Sequence, residues 1–157
     1  MKNIIPKYRG KLIYVTPGSG KTTLVGQNKC LIDTDELMVK EIQQLYPDFS
    51  RLRKETIQSY FKRFSDTYNN KTKINNRVLK KCQELLDDGL TILTGTIKFA
   101  KNADFVYVIN PNNERLVNRF GSEELVIEFH KKEVKFLQNQ KVVFSIIDEN
   151  IEEIILF

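Results

Sequence analysis

Near its start the chain changes character twice within fifteen residues. Residues 11–15, Lys-Leu-Ile-Tyr-Val, form a short β-branched and aromatic run, which predicts a buried strand. A glycine-rich turn follows, Thr16-Pro17-Gly18-Ser19-Gly20, and then Lys21-Thr22-Thr23-Leu24-Val25, which opens a helix. The order strand, glycine turn, Lys-Thr helix constrains the fold more than any other feature. Glycines let backbone N–H groups turn inward around phosphate oxygens, and a helix start adds its positive end. In such a loop Lys21 would reach the β- and γ-phosphates of a nucleotide, and the Thr22 hydroxyl would ligate Mg²⁺. The usual pattern also places a glycine six residues before the lysine. Here that residue is Val15, which does not accept a positive φ, so the start of the loop is expected to be reshaped and nucleotide affinity lowered.

Strand and helix signals alternate through the rest of the chain. Residues 30–32 read as a second strand running into Asp33-Thr34-Asp35. Three helices are predicted next: 36–46, stopped by Pro47; 50–68, with Leu52, Ile57, Tyr60, Phe61 and Phe64 apolar; and 74–86, ended by Asp88-Gly89. Strands at 90–93, 105–109 and 142–147 then alternate with helices at 114–120, 122–138 and 151–156, with Ser122 as an N-cap followed by Glu123 and Glu124. This alternation predicts a parallel sheet covered on both faces. Asp33 and Asp35 are two apart, so both lean the same way at the carboxyl end of their strand, where parallel sheets bind ligands. One carboxylate can hold hydrated Mg²⁺, and the other can take or orient an acceptor's proton. The plainer alternative makes Asp35 the cap of a helix starting at Glu36.

Composition narrows the classes. With 157 residues, 41% of them hydrophobic, the chain has material for one core, read as a single domain over 1–157 with no linker or repeat. No apolar run approaches the roughly 20 residues of a membrane span. The start, Met1-Lys2-Asn3-Ile4-Ile5-Pro6, lacks the apolar core of a signal peptide. Two cysteines and one histidine leave disulfide frameworks, triads and zinc sites nearly empty, so Cys30, Cys82 and His130 are read as structural and the setting as reducing and cytoplasmic. A charge of +5 permits a phosphorylated partner without demanding one.

At Gly20-Lys21-Thr22-Thr23 and Asp33-Thr34-Asp35 the chain resembles the small P-loop kinases: shikimate kinase, gluconate kinase, nucleoside monophosphate kinases and the kinase part of polynucleotide 5′-kinases. Thr94-Gly95 lies where shikimate kinases have Thr-Gly-Gly-Gly. Val106-Tyr107-Val108 through Arg119 is similar to their fourth strand and the helix after it, and the segment from Ile147 to Ile155 to their last strand and helix. The resemblance implies a three-layer P-loop NTPase fold of nucleoside-monophosphate-kinase type, with a five-stranded parallel sheet in the order 2-3-1-4-5 and a helical acceptor-side insertion over 36–86. It implies an ATP- and Mg²⁺-dependent phosphotransferase. Gly18, Ser19, Gly20, Lys21, Thr22 and Thr23 would hold the phosphates, Arg119 the nucleotide, and Thr22 and Asp33 the metal. Lys21, Asp33 and Asp35 would carry the chemistry, with Asp35, Arg63 and Gly95 at the acceptor.

Two departures argue against shikimate itself. The glycine triplet is reduced to Gly95, and the lid arginine after the Arg119 helix is replaced by Gly121-Ser122-Glu123-Glu124. The long, basic insertion points to a nucleoside monophosphate or nucleotide-like acceptor, with a polynucleotide 5′-end or a shikimate- or gluconate-like hydroxyl as alternatives. Arg51, Arg53, Lys54, Lys62, Arg63, Lys71 and Lys73, interleaved with Tyr60, Phe61 and Tyr68, would serve a nucleic-acid acceptor, although the aromatic spacing is that of a core. Two readings of another class stay open: a nucleotide-binding module without catalysis, and a fragment of an ATPase motor in which residues 142–147 lead into a metal-and-water site at Asp148-Glu149. No membrane partner is expected.

Overall fold

The structure is a computed structural model that describes residues 7–156; the segment 1–6, read above for a leader, and residue 157 lie outside the described residues. In chain order the elements are β1 (Leu12–Val15), α1 (Lys21–Gly26), β2 (Leu31–Asp33), α2 (Thr34–Leu45), α3 (Ile57–Tyr68), α4 (Lys71–Asp87), β3 (Thr91–Thr94), a 3₁₀ helix (Ile97–Asn102), β4 (Phe105–Ile109), α5 (Glu114–Phe120), α6 (Glu123–Asn139), β5 (Ser145–Ile147) and α7 (Ile151–Leu156). Among the described residues the five strands form one parallel sheet in the order β2-β3-β1-β4-β5. The expected α/β architecture, all-parallel sheet and strand order are therefore present. No helix among the described residues is long and apolar enough to cross a membrane.

Strand alternation sorts the side chains into two faces. Ile13, Val15, Leu31, Leu93, Ile109 and Ile147 pack with Leu24 of α1, Leu116 of α5 and Ile151 and Ile155 of α7. On the other face Leu12 and Ile92 meet Met38 and Ile42 of α2, Tyr60 and Phe64 of α3, and Ile74 and Val78 of α4. Beside them Tyr14, Val106 and Val108 meet Ala100 of the 3₁₀ helix and Leu137 of α6. Helices on both faces explain why all four residues of β1 and of β3 are buried, the pattern of a sheet covered twice.

The register brings the strand ends to one edge. Tyr14 pairs with Thr94, Asp33 with Leu93, and Val15 with Tyr107. The chain leaves β1, β2 and β3 there, at Thr16, Asp33 and Gly95. Val15 remains within β1, so the sheet runs through the position where a first glycine was expected, and the turn begins at Thr16.

Several boundaries differ from the sequence reading: α4 starts at Lys71 where Ile74 was expected, and four further differences have a local reason. The helix predicted over 50–68 begins at Ile57. Glu55 accepts from the Leu52 N–H and its own N–H donates to the Leu52 carbonyl, closing a turn; Lys54 sits at φ +63°, and Thr56 caps α3 by accepting from the Ser59 N–H. The helix predicted from Glu36 begins at Thr34, because Asp33 and not Asp35 is its cap. The fifth strand covers Ser145–Ile147 alone, since the Val142 N–H is taken by Leu137 at the end of α6 and Lys141 is left-handed. The 3₁₀ helix at Ile97–Asn102 was not anticipated; its six residues are too few for a periodic signal.

Burial predicts which leucines hold the fold. Leu93 is fully buried and Leu52 is 61% exposed. Leu93→Ala is expected to cost about 2–5 kcal/mol, and Leu52→Ala to stay within about 0.5 kcal/mol. Urea denaturation midpoints of the two variants check this ranking.

Candidate functional site

The turn after β1 takes the shape its glycines permit. Gly18 and Gly20 have φ of +85° and +94°, a region that side chains disfavour. Space as well as torsion excludes a side chain: a Cβ at Gly18 would lie 3.1 Å from Arg119 Cγ, and one at Gly20 would lie 3.3 Å from Arg115 Nη1. α5 therefore lies directly against the loop. Between the two glycines Ser19 is buried, and its hydroxyl has no partner among the described residues. A buried hydroxyl without a partner is uncommon, and here it leaves hydrogen-bonding capacity unused in the glycine loop.

Lys21, the first residue of α1, is only 7% exposed. Its ammonium donates to Asp33 Oδ2 at 2.8 Å and stands 3.6 Å from Asp35 Oδ2. Asp33 uses both oxygens, because Oδ1 accepts from the Asp35 N–H at 2.9 Å and so caps α2. The Thr22 hydroxyl lies 3.5 Å from Asp33 Oδ2. Asp35 is held above the usual carboxylate range, chiefly by burial, with Lys21 opposing. Gly95 closes the group from β3: a Cβ there would lie 3.1 Å from Lys21 Cε.

Lys21, Thr22, Asp35 and Gly95, but not Asp33 or Ser19 behind them, line a cavity of about 750 Å³, within the size range of small-molecule sites. Gly18, Gly20, Lys21, Thr22, Thr23 and Arg119 line it on the side of the glycine loop, and Asp35 and Met38 of α2 on another. α3 supplies a third wall through Gln58, Phe61, Lys62 and Ser65, which recur at one-turn spacing and so share one face. Lys71 at the start of α4 is beside them. The structure thus brings together the glycine loop, Asp33, Asp35, Gly95 and Arg119.

Arg63 is turned elsewhere. It forks onto Glu55 with Nε and Nη2 at 2.8 and 2.9 Å, donates to the Ser50 carbonyl, and lies 4.2 Å from the centre of the Phe49 ring. It is not among the residues lining the cavity. The same fork pulls the Glu55 carboxyl down to about 2. One residue earlier, Lys62 faces the cavity, because consecutive helical residues point about 100° apart. Of the basic and aromatic series noted in the sequence, Phe61, Lys62 and Lys71 reach the cavity. Tyr60 is fully buried with its hydroxyl on the Phe49 carbonyl, and Tyr68 stacks on Tyr46. Asp148 accepts from Asn110 and lies outside the lining. The sequence reading placed Lys62 and Phe61 on a basic, aromatic acceptor face but passed over Gln58 and Ser65, although their spacing with those two was a usable signal. It also missed Arg115, which pairs with Glu152 of α7 at 2.6 Å beside Gly20.

Among the described residues no group of three or more acidic, histidine or cysteine side chains forms a metal cage. Mg²⁺ does not need one; it is commonly held by one or two carboxylates, water and phosphate oxygens. The adjacent Thr22 hydroxyl and Asp33 carboxylate are hard oxygen donors that fit this pattern. Compared with models of known protein families and with characterised proteins, the chain matches none.

The contact at Gly95 generates a test. Unlike Gly18 and Gly20, Gly95 has no positive φ, so alanine fits its backbone. Gly95→Ala is expected to push Lys21 away from Asp33, to weaken nucleoside triphosphate binding about tenfold, or about 1.4 kcal/mol, and to lower the melting temperature because a buried ion pair is loosened. Titration calorimetry beside thermal denaturation reads both quantities.

Proposed function

We propose that the chain is a P-loop phosphotransferase of the small-kinase type, moving the γ-phosphoryl group of ATP, with Mg²⁺, to a small acceptor. The supporting observation is a single cavity holding a glycine loop with a buried lysine and, 3.6 Å from that lysine, a second carboxylate facing the α3 wall. A phosphate donor needs the cation and an acceptor hydroxyl needs the carboxylate. The reading best matched to Lys62 and Lys71 on the wall beside Asp35 is a nucleoside monophosphate or nucleotide-like acceptor.

Each residue then has a physical task. The loop amides and the unpartnered Ser19 hydroxyl bind phosphate oxygens. The Lys21 ammonium neutralises charge on the transferring group, the kind of stabilisation that dominates phosphoryl transfer. Arg119 borders the same space and replaces part of the positive charge that a lid arginine would bring. Thr22 and Asp33 would hold Mg²⁺, which screens the negative charge of the phosphates. Asp35 orients the acceptor oxygen as the new P–O bond forms and the bond to ADP breaks; a hydroxyl acceptor gives its proton to Asp35, whereas an ionised phosphate acceptor has none to give. Burial raises its affinity for that proton and so suits it to the task.

The motor reading needs a carboxylate beside the glycine loop at the end of β5. Asp148 is instead exposed and hydrogen-bonded to Asn110, so that reading lacks support.

The test is ATP consumption screened over nucleosides, nucleoside monophosphates, 5′-hydroxyl oligonucleotides and shikimate-like polyols. Lys21→Ala is expected to lower the rate by about tenfold to a thousandfold, as for other electrostatic catalytic groups, with the fold retained at a lower melting temperature because Asp33 loses its ammonium. Asp33→Asn is expected to abolish the metal-dependent activity, and Asp148→Asn to leave the rate within about threefold. Binding of ATP with no turnover on any acceptor would favour the non-catalytic module. The reverse ranking of the two aspartates would favour the motor.

A further inference from the structure

Behind the glycine loop, away from the cavity lining, lies a carboxylate that the mechanism does not use. Glu133 is on the sheet-facing side of α6 and is 2% exposed. Its Oε2 accepts from the Tyr14 hydroxyl at 2.5 Å and its Oε1 from the Thr16 hydroxyl at 3.2 Å. Thr16 Oγ1 in turn accepts from the Ile109 N–H at 2.8 Å, at the end of β4. Thr16 is the residue at which the chain leaves β1 for the loop. One side chain therefore ties the root of the loop to α6 and to β4 at once.

This tie flanks Val15, the point where the usual loop has its first glycine. Val15 stays in the sheet, so nothing in the backbone before Thr16 bends the chain outward. The geometry points to Glu133 as a positioning residue that, in its ionised form, sets Thr16 and with it the glycine loop for nucleotide binding. This inference rests on the phosphate-loop reading above.

Hydrogen counting carries the argument. Tyr14 and Thr16 have one hydroxyl hydrogen each, and both are given to Glu133. Thr16 Oγ1 also receives the Ile109 N–H. An ionised Glu133 accepts both hydrogens and leaves nothing unmatched. A protonated Glu133 brings one hydrogen more. It must donate to Thr16 or Tyr14, and the hydroxyl that receives it then has nowhere to place its own hydrogen in a buried site. The tie at Thr16 is thus complete only with the charge present.

Among the described residues no group of opposite charge supports that form. Arg115 of α5 is paired with Glu152, and Arg119 borders the cavity. Lys98 and Lys101 of the 3₁₀ helix line a small cavity with Phe136 and Gln140, and neither is a source of the Glu133 shift. On α6 itself Lys131, Lys132 and Lys135 are exposed. His130, one turn before Glu133, is held below its usual value by burial. From β1 the facing group is the Tyr14 hydroxyl, whose own proton is held more tightly than usual by burial and by Glu133. Burial without a cation pushes the Glu133 carboxyl up to about 7. Its protonation therefore falls within the range in which enzymes work.

The signs for binding and for stability oppose each other. If the binding-competent loop needs ionised Glu133, affinity for Mg·ATP is full above pH 7 and falls as the pH drops through that value. For the fold as a whole, an acid with a raised value contributes stability at low pH that is lost as the pH rises toward 7. A packing role and a positioning role therefore move different readouts.

The experiment measures the Kd for Mg·ATP from pH 5.5 to 8.5, beside melting temperatures, in wild type, Glu133→Gln and Thr16→Val. The ratio of variant to wild-type Kd removes the nucleotide's own protonation and that of Asp35. At pH 8 Glu133→Gln is expected to bind about tenfold more weakly with a melting temperature within a few degrees of wild type. At pH 6 the two Kd values are expected to converge to within about threefold, because wild-type Glu133 is by then mostly neutral. Thr16→Val severs the link from the other side and is expected to give the same loss at pH 8 and the same convergence. It also decides the matter if Glu133→Gln does not fold. Parallel pH profiles in wild type and variants, or wild-type affinity in Thr16→Val at pH 8, overturn the inference while leaving the phosphate loop intact. Failure of the wild type to bind Mg·ATP at pH 8 overturns the phosphate-loop reading itself and this inference with it.

Discussion

A buried ammonium must be paired, and in this chain the need is met by one carboxylate with two duties. Asp33 takes the Lys21 proton donor on Oδ2 and the Asp35 N–H on Oδ1. The first contact joins α1 to the end of β2; the second starts α2. Removing one partner of such a buried pair leaves an uncompensated charge, which is far more costly than the pair is stabilising. The position of the cavity, the direction of α2 and the height of Asp35 above Lys21 all follow from where Asp33 stands. Asp33 stands there because the parallel pairing of β2 with β3 ends at that residue.

Much of this was legible in the sequence. Glycines before Lys-Thr, an Asp-x-Asp after an apolar run, and strands alternating with helices are signals carried by a few adjacent residues. The register that brings them to one edge follows from parallel pairing. What was hidden depended on side chains choosing partners far away in sequence. Arg63 and Lys62 are neighbours with the same charge, and only the turn closed by Glu55 decides that the arginine folds back while the lysine faces the cavity. That turn overrode a helical pattern at 50–56. Glu133 was invisible for the same reason: a glutamate in an amphipathic helix reads as solvent-facing until Tyr14 and Thr16 are placed against it.

Four carboxylates show how environment divides one chemistry into separate roles. Asp33 is buried and faces an ammonium. Asp35 is less buried, and its proton affinity is raised because burial outweighs Lys21. Glu55 forks with a guanidinium and stays ionised at any ordinary pH. Glu133 has hydroxyls and no cation. In these four groups the balance of burial against a nearby cation differs: a forked guanidinium lowers Glu55, burial outweighs Lys21 at Asp35, and burial stands unopposed by a cation at Glu133.

The edges of the sheet have a consequence for the molecule in solution. β2 and β5, the outer strands, have three residues each, against four or five in the interior strands. A three-residue edge exposes roughly 10 Å of unpaired backbone, too short a template for another chain to join. This matters most at β5, where Ile146 is 52% exposed and Val143, just before it, 91% exposed. Apolar side chains on a long free edge would invite sheet-to-sheet growth. Here the Val142 amide is already committed to the end of α6, so the strand stops before that growth can start.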